Sequence, residues 1–334
     1  MDEKTPKSKL KKIYIEILNG ASFVKDPLMG DLYVKHLDSF DTEEIDEKRE
    51  EYKEKALSKG LPGREKREEE IIKEGDWTEK KNIEMRDLED YVRGMQRTKE
   101  KLILQSEIRR FDTQIKEASD KHAVLSNEKE SLMGYTAEEY SNKKVNDFYI
   151  FFTLFKDKEF KQRRLTQEEL DEVSDEDLWR ITRMYGACLK KFNENNLKRI
   201  ALSPFFLNAY SLCEDNPFTF FGKSIVNLTY HQTDLFSFGR YFKHILSEMK
   251  HQPTPEQLDD PDSLMGGHAI AKNSEKAFSK SKEGGATSIV GATKEDLKAL
   301  GVSEAKGDVI DLGKEAAKKG GTLSMQDLIK MHGF

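Results

Sequence analysis

Residues 216–242 read NPFTFFGKSIVNLTYHQTDLFSFGRYF and set eight Phe or Tyr rings into a chain whose residues are 35% charged. The second half of the stretch carries a helix start. Thr229 is followed three positions on by Gln232, the spacing at which two side chains satisfy each other's orphan amides. Beyond it, Phe236, Tyr241, Phe242 and Ile245 cover a broad helix face, and a helix of that kind is buried over most of its circumference. The first half, NPFTFFGKSIVNLT, contains Pro217 and Gly222 and lies between two expected helices. Connecting segments are ordinarily polar. This one therefore either folds back under a core or presents a sticky surface. A β-hairpin turning at Gly222-Lys223 is one form it can take.

Working outward, NDFYIFFTLF and PFFLNAYSL repeat the same broad apolar pattern. The three stretches are expected to pack together, with Phe151, Phe155, Phe206, Phe236 and Phe242 in one cluster. Of the 32 Phe, Tyr and Trp residues, 20 fall between positions 145 and 245. Each large ring buried contributes on the order of 2–3 kcal/mol, so residues 135–250 form an aromatic-rich helical core domain. Thr166 with Glu169 and Ser174 with Asp177 mark further helix starts, and Ser203-Pro204 places Pro at a first helical position. Helices are expected near 138–156, 167–172, 175–196, 204–214 and 230–249.

Upstream, KKIYIEILNG alternates Ile13, Ile15 and Ile17 with polar or aromatic residues, a period of two that predicts a strand. With SFV and DLYVKHL it predicts a small antiparallel β element within residues 1–40. Residues 41–134 then read as charged helices and a coiled-coil hairpin. EEIDEKREEYKEKALSKG and GREKREEEIIKEG are helix formers closed by Gly, and Thr78, after Trp77, is placed to cap the next helix. Met85, Leu88, Val92 and Met95 are spaced three, four, three. Ile108, Phe111, Ile115, Ala118, His122, Leu125 and Leu132 keep a seven-residue register that Lys129 interrupts. The register slips at TKEKLILQSE, which reads as the turn of an antiparallel hairpin; one long helix with a stutter is the alternative. Ile108, Phe111, Ile115 and Leu125 are expected to face apolar partners, in the hairpin or in another chain.

Downstream the chain changes character. Residues 251–290, rich in Pro, Gly, Ser, Lys and acids, predict a flexible linker. Residues 291–334 predict short docking helices, one opened by Thr293 with Asp296. The last carries Leu323, Leu328 and Ile329 as an apolar anchor. Pieces this short gain stability by docking on a prepared surface.

A search for chemistry yields no catalytic, cofactor-binding or metal-binding assignment. No Gly-rich phosphate loop is present, since GATSIVGATK lacks the spacing and the Gly-Lys-Ser/Thr ending. His244, Glu248 and His251 share one helical face but match no zinc-ligand pattern. Cys188 and Cys213 are the two cysteines, and neither has metal-ligand spacing. The 56 basic and 62 acidic residues give a net charge of -6 and are interspersed, as on solvated helix faces, which weighs against a phosphate-binding surface. No stretch reaches the ~18 apolar residues of a membrane span, and the expectation is a soluble chain made inside a cell.

The stretches GLPGREKREEEIIKEGDWTEKK and SPFFLNAYSLCEDNPFTFFGKSIVNLTYHQTDLFSFGRYF resemble proteins encoded among the virion genes of large tailed bacteriophages. The resemblance covers residues 20–250, carries no functional residue with it, and does not extend to residues 251–334. It implies a virion component or tail-assembly factor, of the tail assembly chaperone kind. The expectation is thus a mainly α protein without cofactor, acting as a non-enzymatic structural or assembly protein. It would work through contacts with other virion or assembly proteins or with its own copies, in the virion or the host cytoplasm. A nucleic-acid-associated accessory factor and an enzyme without a recognisable motif are the alternatives.

Overall fold

The computed structural model describes residues 5–27, 29–249, 253–283 and Asp296 of the 334-residue chain. The protein is mainly α-helical, with a small three-stranded antiparallel sheet near the N-terminus. Its described residues fall into two units, one from residues 1–77 and 129–265, the other from residues 78–128 and 266–334. These divisions differ from the compositional boundaries at residues 40, 134 and 250.

The first unit opens with helix α1 (Lys7–Asn19). The strand expected over residues 13–17 is therefore a helix, and the burial pattern gives the reason. Leu10, Ile13 and Ile17, spaced three and four, are buried, while Ile15 is 55% exposed. The run fits both periods; the helical one wins because Leu10 joins Ile13 and Ile17 on a face that a core covers. Gly20 ends α1 in the left-handed conformation at φ 67°, where an L side chain is strained. Strands β1 (Ala21–Asp26) and β2 (Gly30–Lys35) follow as an antiparallel hairpin paired from Ala21↔Lys35 to Asp26↔Gly30.

Helices α2 (Ser39–Ser58) and α3 (Arg64–Glu74) come next. Asp38 and Asp41 make the reciprocal cap that opens α2. Trp77, beyond α3, is almost completely buried. The chain then passes through helices α4 (Glu79–Lys99) and α5 (Gln105–Met133) and returns with α6 (Ala137–Thr153) and β3 (Leu154–Phe155), which pairs with β2 at Val34 and Tyr33. Helices α7 (Gln167–Glu172), α8 (Asp175–Lys190), α9 (Glu194–Ala201), α10 (Pro204–Ser211), α11 (Pro217–Phe221) and α12 (Tyr230–Glu248) complete the aromatic region. Thr166, Ser174 and Thr229 cap α7, α8 and α12 as their spacing predicts.

The aromatic stretches divide among separate clusters instead of making one. Phe206, Phe236 and Phe242 share the largest with Leu10, Ile13 and Ile17 of α1 and Leu197 and Ile200 of α9. Phe148 and Phe152 of α6 pack instead on Ile45 of α2, with Phe151 beside them. Leu32 and Val34 of the sheet meet Ile150, Leu154 and Ile181 in a third cluster. A broad apolar face can serve two layers at once, so α6 is buried between α2 and the sheet rather than against α12. Gln232 shows how the elements lock. Its side-chain oxygen accepts from the Thr229 amide at 3.1 Å, and its side-chain nitrogen donates to the carbonyl of Ile17 at 2.9 Å. One buried amide thus caps the start of α12 and adds a second donor to the Ile17 carbonyl, which also accepts from the Gly20 amide.

The hairpin unit contains α4 and the α5 residues up to 128. The chain turns at residues 100–104, so the hairpin and not the single helix is formed. Lys99 pairs with Asp112 beside the turn, and Lys81 Nζ lies 2.5 Å from Glu128 Oε1 at the far end, which sets the two helices antiparallel. Helices α13 (Pro255–Asp259) and α14 (Pro261–Glu283) occupy the span expected as linker. Thr254 and Gln257 form a full capping box for α13, Leu264 is buried in the largest core cluster, and Ser274 is buried too. Composition hid this because few apolar residues are needed when each docks on an existing surface.

Candidate interaction surface and buried polar sites

The aromatic connection between α10 and α12 divides its side chains between two roles. It forms no hairpin. Instead α11 is a short helix opened by Asn216, whose side chain accepts from the Phe218 amide at 2.9 Å, and Gly222 ends it at φ 67°. A single 3₁₀ turn at Ile225–Asn227 follows. Phe220 and Phe221 turn inward. Phe220 meets Phe206 at 5.4 Å and Tyr210 at 5.8 Å between centroids, and Phe221 meets Phe236 at 6.0 Å. Phe218, Ile225 and Val226 turn outward and are 62%, 65% and 52% exposed, and Leu212 at the end of α10 is 81% exposed. These exposed apolar side chains within residues 212–230 make a candidate interaction surface.

The residues expected to bind partners fall in three places. Ile108, Phe111, Ile115 and Leu125 are half-buried along α5, as are Met85, Leu88, Val92 and Met95 along α4. The burial follows the spacing of the seam. Helix α4 has no fully buried residue. Leu323, Leu328 and Ile329 lie outside the described residues, as do the docking helices expected over residues 291–334, Asp296 excepted.

Asp296 shows a contact that spacing did not suggest. Its carboxylate accepts from the Ser106 amide at 2.9 Å and from the Ser106 hydroxyl at 2.6 Å, and it is buried. Leu104, before α5, has no side-chain acceptor to offer the first amides of that helix. Asp296 supplies one from 190 residues away. Sequence reasoning placed this carboxylate at the start of its own helix, and no local signal could have joined it to Ser106.

One buried polar cluster contains the residue types of a nucleophilic site. Ser22 Oγ donates to Glu16 Oε2 at 2.5 Å and lies 2.9 Å from His36 Nε2. Lys191 pairs with Glu16. With the Ser22 hydroxyl donating to Glu16, His36 Nε2–H donates to Ser22 Oγ, and Nδ1 carries a lone pair that meets no donor among the described residues. A histidine base would have to accept the hydroxyl proton instead. Burial pushes the His36 imidazolium pKa down to about 3, with His231, Lys191 and Lys223 adding to the effect. Burial also lowers His231 to about 4, and raises the Cys188 thiol. The rings of His36, Phe192 and His231 pack with centroids 4.4–5.1 Å apart. Neutral rings, an occluded hydroxyl and a paired carboxylate make this a structural knot between α1, the sheet and α8.

Of the three residues sharing a helical face near the end of α12, His244 Nε2 lies 3.4 Å from Glu248 Oε1, both largely exposed; His251 lies outside the described residues. Among the described residues no group of three potential ligands is arranged to hold a metal ion, and no helix is long and apolar enough to cross a membrane. No protein-family model, curated protein or solved structure matches this chain.

Proposed function

We propose that this chain is a non-enzymatic structural or assembly protein that acts through protein–protein contacts. The phage-like resemblance of residues 20–250 makes a viral particle, in the virion or the host cytoplasm, the proposed setting. The observation that carries the reading is the split loop at residues 212–230. Phe220 and Phe221 anchor it to the core, while Phe218, Ile225 and Val226 stand in solvent. An anchored loop presents its apolar residues with little ordering entropy left to lose on binding. Exposed aromatic and branched residues of this kind are what an interface core is made of.

The test is co-purification from infected cells with and without Ile225→Glu and Val226→Glu together. Both side chains are exposed, so the variant should melt as the parent does. The parent should carry defined assembly proteins with it, and the variant should lose them. Retention of the same partners by the variant, or a parent that purifies alone, would sink the proposal.

A further inference from the structure

A cleft of about 490 Å³ lies in the first unit between α1, the α9–α10 turn and α13. Its walls are apolar, with Leu10, Leu202, Phe205 and Leu258 among them. Three cations line it, Lys7, Lys11 and Arg199, against one carboxylate, Asp259. Lys7 Nζ lies 3.4 Å from Asp259 Oδ1, and Lys11 Nζ stands 5.9 Å from the centroid of the Phe205 ring. Arg199 is only 7% exposed. Its neighbour Lys198 pairs with both Glu194 and Asp262, whereas the Arg199 guanidinium has no acceptor or ring partner among the described residues. Arg199 is among the residues that line the cleft.

Burying a guanidinium without an acceptor costs free energy that a surface lysine would not incur. An anion in the cleft would offset that cost, and Arg is suited to hold a carboxylate with two parallel hydrogen bonds. The apolar walls ask for more than a bare ion. The volume is within the ~300–1,000 Å³ typical of small-molecule sites, which combine apolar walls with a few placed polar groups. We infer that this cleft binds a small organic acid, with its carboxylate on Arg199 and its apolar body against Leu10, Leu202, Phe205 and Leu258. The site is separate from the exposed surface at residues 212–230 and does not depend on that surface having a partner.

Calorimetric titration of the full chain with octanoate and with 1-octanol tests this. Octanoate should bind at one site, octanol at least ~10-fold more weakly, and added salt should weaken octanoate alone, because screening acts on the charged pair. Arg199→Gln should lower octanoate affinity at least ~10-fold while leaving octanol unchanged. Should Arg199→Gln fail to fold, Lys7→Gln with Lys11→Gln is read instead, with an expected loss of ~5-fold. Equal binding of octanoate and octanol, no octanoate binding at millimolar concentration, or full octanoate affinity in the folded variant would each overturn the assignment.

Discussion

Gly239 sits inside α12 where Phe206 and Tyr210 close over the backbone. A Cβ built there would stand 2.8 Å from Phe206 Cζ and 2.8 Å from Tyr210 Cε2. Those two rings are stacked with centroids 5.4 Å apart, and both are fully buried. Helix propensity favours Ala over Gly by about 1 kcal/mol. Forcing a methyl between packed rings costs roughly 1–3 kcal/mol, and here both contacts are with buried ring atoms that have nowhere to go. Gly239→Ala is therefore expected to lower the melting temperature by several degrees. An equal or higher melting temperature would mean the rings part freely. The sequence gives no hint of this constraint, because FSFGRYF reads as a helix with a tolerated glycine. Ile15 teaches the complementary lesson: its exposure follows from which neighbours share its face, and two periods fitted the same run.

At the scale of elements, the N-terminus of α5 depends on Asp296. Removing an N-cap acceptor costs about 0.5–2 kcal/mol, and an acid beside a helix N-terminus adds a favourable charge interaction with the macrodipole. Asp296→Ala should therefore speed hydrogen exchange of the Ser106 amide by roughly 2- to 30-fold, at about 1.4 kcal/mol per factor of ten. Exchange as slow as in the parent would show that water or another group replaces the carboxylate fully. The hairpin was readable at this scale because its seam is local and periodic. The caps of α7, α8 and α12 were readable because a cap lies within four residues. Helices α13 and α14 were not, because their docking on the core is a property of distant residues.

Across the whole molecule, buried His36 and half-buried His231 set a pH limit. His36 at about 3 and His231 at about 4 lie below the unfolded value of ~6.5. A lowered histidine pKa means the unfolded chain binds more protons, so stability is complete above about pH 6.5 and falls as pH drops. At pH 5 each ring costs on the order of 2 kcal/mol. Chemical denaturation should show the midpoint of the first unit falling steadily between pH 7 and pH 5, and His231→Phe should flatten part of that slope. A parent midpoint constant across this range would show that one or both rings are protonated in the folded state at little cost.

The helical class, the antiparallel α4–α5 pair and the starts of α4, α7, α8, α10 and α12 are legible in the order of the amino acids. Each of these rests on interactions within a few residues, or on a periodicity that one element carries alone. Contacts between distant segments make α1 a helix, split the aromatic stretches among separate clusters, and pack Phe220 and Phe221 on the core while Phe218 and Ile225 stay at the surface. Such contacts also bring Asp296 to Ser106 and leave Arg199, at the cleft, without a paired carboxylate among the described residues. The physical reason is the same in each case. Burial and pairing belong to contacts between distant parts of the chain, and an amphipathic pattern says that a face must be covered without saying what covers it.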